Sequence, residues 1–240
     1  MFGKWRKYSY AAQKSQRHKI GWVFLWCLLF FVLYLSTTFL FSMRVLENES
    51  MQPGLRARDR FIFSSYFHSL LPGIEIWNRS VPFRRGNIVL VDMSLHQKPS
   101  LWTEILDGGV RFFTAQRISL SGREEQIFIK RVIGLPGDEI TMTNFVLRIK
   151  PRDESYSFTE FELSEHPYDV AIPQVPALWD ESLPFSGNME RIVLGENECF
   201  VLSDDRSNTN DSRTWGPVPV DLITGKALFR YWPLNRLGRP

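Results

Sequence analysis

Phe128–Asp138 reads FIKRVIGLPGD and sets a single amine, Lys130, next to Arg131 inside an apolar run. Ile127, Phe128, Ile129, Val132 and Ile133 surround it, and a Gly134–Leu135–Pro136–Gly137–Asp138 turn closes the run. Short β-branched and aromatic runs ended by Pro and Gly predict strands. A lysine on the inward face of such a strand loses water, and burial favours its neutral amine, a general base near neutral pH. On the outward face it is an ordinary solvated lysine. This segment alone is compatible with both.

Outward from this run, the same signals recur. Arg60–Phe67 is strand-like, and Gly86–Asn87 leads into Ile88–Val91, a buried-strand pattern. Glu139–Lys150 alternates as one strand. Ile192–Leu194 and Cys199–Leu202 flank Gly195–Glu196–Asn197, and Ala227–Trp232 makes a last strand. Residues 151–190 are polar and carry Pro167, Pro173, Pro176 and Pro184, which predicts an inserted β subdomain or long excursion over about 141–191. Many short strands with little helix predict a mainly β body, a coiled antiparallel sheet. Segment 94–126 fits least. Leu101, Trp102, Ile105, Leu106, Phe112 and Phe113 form an amphipathic helix pattern broken at Gly108–Gly109. Such a segment packs on the body or dips into a membrane leaflet.

Charge is unevenly spread. Residues 1–19 carry six Lys/Arg (Lys4, Arg6, Lys7, Lys14, Arg17, Lys19) and no acid, and Ile20–Phe41 carries no charge at all. The remaining 23 basic residues face 26 acidic ones, so the body is net acidic and argues against a nucleic-acid-binding surface. Ile20–Phe41 is 22 residues long, enough to cross a hydrocarbon core of about 30 Å. The basic flank predicts residues 1–19 in the cytoplasm and 42–240 across the membrane. A cleaved signal peptide is the alternative, but its apolar core is about 7–15 residues and ends in small residues, unlike Phe39–Leu40–Phe41. The two cysteines, Cys27 and Cys199, lie too far apart in kind and place to predict a disulfide. The four histidines make no metal motif, and no G-x-S-x-G or H-E-x-x-H occurs.

Ser50–Met51–Gln52–Pro53 follows the apolar segment, and Ser203–Gly216 reads SDDRSNTNDSRTWG. Together with Lys130–Asp138, these stretches closely resemble the bacterial type I signal peptidase, the membrane-anchored leader peptidase. That family has a Ser-Met-x-Pro box, a box ending in Lys-Arg-x-x-Gly-x-Pro-Gly-Asp, and a late Gly-Asp-Asn-Arg-x-Asn-Ser-x-Asp-Ser-Arg-x-Trp-Gly box. Arg85–Gly86–Asn87–Ile88–Val89 is similar to its Arg-Gly-Asp-Ile-Val box, and Gly225–Lys226–Ala227 fits its ending. The boxes and the anchor stand in the family's order. The likeness covers the anchor and most of 45–92, 127–140 and 192–232, but not 94–126 or most of 141–190.

The resemblance implies a serine–lysine endopeptidase at the outer face of the bacterial cytoplasmic membrane. It would be a monomer without metal or other cofactor, and would act on signal-peptide-bearing preproteins beside the lipid bilayer. It makes Ser50 the nucleophile and Lys130 the general base. It gives the Thr209 hydroxyl the task of orienting the lysine amine, and Asp211, Arg213 and Asp204 the task of supporting the site. It implies that a signal peptide lies extended beside Phe128–Lys130, with Leu46, Met51, Leu55 and Ile129 forming a shallow pocket for small side chains. Core packing is the other reading of those side chains.

Departures are few. Asn48 stands where the family commonly has a serine that helps bind the oxyanion, and an asparagine amide is also a donor. Glu47 replaces a common proline and Gly54 a common threonine. Ser203 replaces the usual glycine of the late box, and Asp205 and Ser207 replace Asn and Asp. Two other readings compete. A self-cleaving repressor-type serine–lysine protease is soluble and carries a DNA-binding domain, which the anchor opposes. A tethered β-domain that binds exported chains without cutting them is favoured by the changes at Asn48 and Ser203 and opposed by the retained Ser50, Lys130, Thr209, Asp211 and Arg213.

Overall fold

The computed structural model describes residues 10–39, 41–65, 83–96, 106, 110, 126–174 and 187–240. Helix α1 (Tyr10–Phe39) contains one span, Arg17–Tyr34, long and apolar enough to cross a membrane, and its large apolar side chains from Ile20 to Leu33 are exposed. Apolar side chains exposed on every side of a helix suit a lipid environment. The helix is offset from the predicted 20–41: it begins before Ile20, and Phe41 already belongs to strand β1 (Phe41–Val45). The amphipathic pattern of 94–126 lies almost wholly outside the described residues.

The body is antiparallel β structure. The remaining strands are β2 (Arg60–Ser65), β3 (Ile88–Asp92), β4 (Ile127–Gly134), β5 (Glu139–Thr143), β6 (Val146–Lys150), β7 (Phe158–Thr159), β8 (Met189–Val193), β9 (Glu198–Leu202), β10 (Val218–Pro219) and β11 (Ile223–Trp232). They form a seven-stranded sheet ordered β1-β2-β11-β3-β4-β9-β10 and a four-stranded sheet ordered β7-β6-β5-β8. The smaller sheet falls in sequence between β4 and β9 of the larger one.

The predicted single strand over Glu139–Lys150 is instead a hairpin, β5 and β6. Its turn residues Asn144 and Phe145 have φ of 51° and 65°. A phenylalanine in this region carries no turn signal. Its ring is buried against Gly187, where an added Cβ would lie 2.6 Å from the ring, and its N–H donates to the Gly187 carbonyl. Burial of the ring offsets the backbone cost.

Central strands are buried on both faces, so they read as continuous apolar runs. Val89 and Val91 of β3 join Val132, Cys199, Val201 and Val218 in one cluster; Ile88 and Leu90 join Leu46, Met51, Leu55, Phe61, Phe63 and Ile129 in another. A third cluster, with Ile133, Ile140, Leu147, Ile149, Phe200 and Leu202, joins the two sheets.

Gly225 marks the tightest approach within the larger sheet. A Cβ there would sit 2.6 Å from the Ser64 carbonyl oxygen of β2, a backbone atom that cannot swing aside. Gly225→Ala therefore forces β11 away from β2 and costs about 1–3 kcal/mol. Urea unfolding of the two proteins checks this, and an unchanged midpoint would refute the close-approach argument.

Candidate active site

Strand β4 presents its residues alternately to two faces. Lys130 falls on the face of Val132, opposite Val89 of β3, and is 1% exposed. The β4–β9 register sets Arg131 against Leu202, so the next cross-strand neighbours are Lys130 and Ser203. The Lys130 amine donates to Ser203 Oγ at 2.8 Å. Arg131 points to the other face and donates through Nε and Nη2 to both oxygens of Asp204, at 2.7 and 2.5 Å. The Asp205 N–H then donates to the Ser50 carbonyl at 3.0 Å. Three consecutive residues, Ser203, Asp204 and Asp205, thus hold Lys130, Arg131 and the Ser50 turn in succession.

Lys130 lies in dry surroundings. Burial pushes its amine down from 10.5 to about 8. The Asp211 carboxylate opposes that shift, Arg213 adds to it, and Asp204 opposes it more weakly. The amine also lies 5.8 Å from the Trp215 ring centre, and that ring stacks at a tilt on Phe128, centroids 5.0 Å apart.

Asp211 and Arg213 come together as a compact support. Asp211 caps the one-turn helix Ser212–Trp215, its Oδ1 accepting from the Arg213 backbone N–H and Nε. Asp211 Oδ2 accepts from Arg213 Nη2 at 2.8 Å and from the Ser203 N–H at 3.0 Å. Arg213 further donates to the carbonyls of Arg206 and Asn208. This pair therefore fixes the backbone of the residue that touches the lysine.

Several expected placements differ. The residue on the lysine amine is Ser203, not Thr209. Thr209 contributes its carbonyl, which accepts from the Asp211 N–H and from Thr214 Oγ1. The cause is register: Ser203 continues β9 directly opposite Lys130, whereas Thr209 lies in the loop beyond. Asn48 presents its amide oxygen, not its NH₂, to Ser50; Oδ1 accepts from Ser50 Oγ at 2.7 Å and from the Ser50 N–H at 3.2 Å. Among the described residues, Ser50 Oγ and the Lys130 amine are not hydrogen-bonded to each other. Leu46, Met51 and Leu55 are 2%, 0% and 2% exposed and fill the second core cluster with Ile129, so they are not walls of an open pocket. Phe128 is half-buried.

Some contributors had a readable signal. Arg131, a second cation in a buried strand, requires a buried acid, and Asp204 is that acid. Arg85 likewise donates Nε and Nη2 to Asp138, joining the Arg85–Val89 stretch to the end of the Lys130–Asp138 stretch. Trp215 and Ser203 carried no such signal, because their contacts depend on cross-strand placement.

The family described as signal peptidase, peptidase S26, matches residues 19–232. A signal peptidase I from Leptolyngbya laminosa is 29% identical over 206 residues, covering 84% of this chain and 73% of that protein. Signal peptidase IB from Staphylococcus aureus is 34% identical over 110 residues, covering 45% of this chain and 54% of that protein. The family match runs from the apolar helix through β11 and takes in Ser50, Lys130 and the Ser203–Gly216 loop, so this chain belongs to the signal peptidase family, peptidase S26.

Proposed function

We propose that this protein is a membrane-anchored endopeptidase that removes N-terminal signal peptides from exported preproteins at the outer face of the cytoplasmic membrane, with Ser50 as nucleophile and Lys130 as general base. The observation that carries the reading is the Ser203–Asp205 segment, which joins the Lys130 strand and the Ser50 turn through adjacent residues. A hydroxyl is a poor nucleophile and needs a base during attack, and a buried amine brought down to about 8 can serve.

In this mechanism the neutral Lys130 amine takes the Ser50 Oγ proton as Oγ attacks the scissile carbonyl. The Ser50 N–H stabilises the oxyanion, and Asn48, which holds that N–H and Oγ at rest, rotates to add its amide NH₂. Asn48 is exposed, so solvent can take over the two hydrogen bonds its Oδ1 gives up on turning. The Lys130 ammonium then protonates the leaving nitrogen as the C–N bond breaks. Water, deprotonated by the same amine, attacks the Ser50 ester and releases the signal peptide's new carboxylate.

An open strand edge supports a place for substrate. Strand β4 pairs with β3 along Ile127–Arg131 but with β9 only from Arg131 onward, so among the described residues Phe128–Lys130 has one open backbone edge. An extended peptide can add there as a strand. Leu46, Met51, Leu55 and Ile129 are filled core beside this strand, so the preference for small side chains rests on the family resemblance. An exposed face supports contact with the bilayer. Phe41, Met43 and Val45 of β1 alternate onto one exposed face, and the register through β2 brings Met43 into line with Phe229, and Val45 with Trp232. This face, apolar apart from Arg60 against Trp232, continues from the end of α1 and suits a membrane surface with anionic headgroups.

The test is cleavage of a preprotein with an Ala-x-Ala site by the full chain in detergent, followed by sequencing of the product's N-terminus. The expected product starts directly after the second Ala, and a bulky residue at that Ala stops cleavage. Binding of the preprotein without any cut would overturn the reading in favour of a binding-only protein.

A further inference from the structure

Resting on the serine–lysine reading above, we propose that Ser203 is the positioning residue of the Lys130 amine, the task the family resemblance assigns to Thr209. The Nζ–Oγ contact is 2.8 Å and wholly interior, with Ser203 0% exposed and Lys130 1%. Ser203 is itself held. It follows the last residue of β9, and its N–H donates to Asp211 Oδ2, a carboxylate fixed in turn by Arg213. Among the described residues the hydrogen bond of the Lys130 amine goes to Ser203, not to the Thr209 hydroxyl.

The chemistry needs such an anchor. A neutral amine has two N–H bonds and one lone pair on a flexible four-carbon stem. Donation of one N–H to Ser203 Oγ, with the Trp215 ring on another side, restricts where the lone pair points. The same oxygen accepts from the ammonium that forms during attack. Ser203 therefore sets the direction of the base and stabilises its protonated form, and a glycine at this position could do neither.

The experiment compares kcat, KM and the pH profile of preprotein cleavage for wild type, Ser203→Ala, Ser203→Thr, Thr209→Val and Lys130→Ala, with folding checked by circular dichroism. Ser203→Ala is expected to lower kcat about 10- to 100-fold with little change in KM, the effect of one charge-assisted hydrogen bond. It should also move the acid limb of the profile down by about one pH unit, because the ammonium loses an acceptor. Ser203→Thr, which keeps the hydroxyl, restores most of kcat. Thr209→Val costs less than Ser203→Ala. An inactive Lys130→Ala beside a Ser203→Ala with wild-type kcat and pH limb overturns the Ser203 assignment alone, as does a larger kcat loss in Thr209→Val. A Lys130→Ala as active as wild type overturns the serine–lysine reading itself.

Discussion

Lys130→Met is expected to abolish proteolysis and to make the protein more stable. Removing a general base costs about 10²–10⁴-fold in rate, and here the same group also returns the proton to the leaving nitrogen, so kcat/KM should fall by about 10⁴-fold. Ser50→Ala should fall as far. The wild-type acid limb follows from the amine: below about 8 it is protonated and cannot accept, so activity rises with pH through that value and then levels. Stability runs with the same titration. The folded amine titrates near 8 and the unfolded one near 10.5, so between these the unfolded chain binds more protons and stability rises with pH. Below about 8 the full penalty of burying the lysine is present, about 3 kcal/mol from that shift. Methionine removes the penalty and leaves Ser203 Oγ without its donor, which gives back about 1 kcal/mol. The variant should thus unfold at higher urea than wild type at pH 7, with the gap closing towards pH 10.5. More than a tenth of wild-type activity in Lys130→Met would sink the general-base assignment; equal stability at pH 7 would sink the buried-charge argument.

The residues proposed to bear the chemistry stand out in the sequence because their signals are local. A serine after an anchor, a lysine in an apolar strand and an Asp–x–Arg pair can each be read within a dozen positions. Strands such as Ile88–Asp92 and Glu198–Leu202 were legible for the same reason, as β-branched or aromatic runs bounded by Gly and Asn. What failed to show depends on partners distant in sequence. Ser203 meets Lys130 across 73 positions through β4–β9 register, so the choice of Ser203 over Thr209 cannot be read from the late loop itself. Phe145 turns the β5–β6 hairpin only because Gly187 lets its ring pack. Leu46, Met51 and Leu55 look the same in sequence whether they line a cleft or fill a core; the folding of β2 and β3 over them decides it.

The Arg206–Glu160 pair is the clearest case of such a distant contact, and Arg206→Met is expected to destabilise the fold more than Gly225→Ala does. Both side chains are 0% exposed, and Arg206 Nη2 donates to Glu160 Oε2 at 2.5 Å. Arg206 Nη1 donates to the Phe145 carbonyl, and Glu160 also accepts from the Leu147 N–H and the Tyr168 hydroxyl. The Arg131 guanidinium lies 4.0 Å over the Tyr168 ring, which ties this cluster to the residues holding Ser50 and Lys130. Removing the arginine leaves a buried carboxylate without its cation, a loss of about 3–5 kcal/mol, or a Tm lower by about 10 °C in a domain of this size. Glu160→Leu added to Arg206→Met should recover most of that loss, because an apolar pair needs no compensating charge. Arg206→Lys should not, since one ammonium cannot match the guanidinium fork that reaches both Phe145 and Glu160. Thermal unfolding of the four proteins decides the matter: an unchanged Tm in Arg206→Met, or a double variant no better than the single, would mean that this ion pair does not hold the smaller sheet to the Ser203–Gly216 loop.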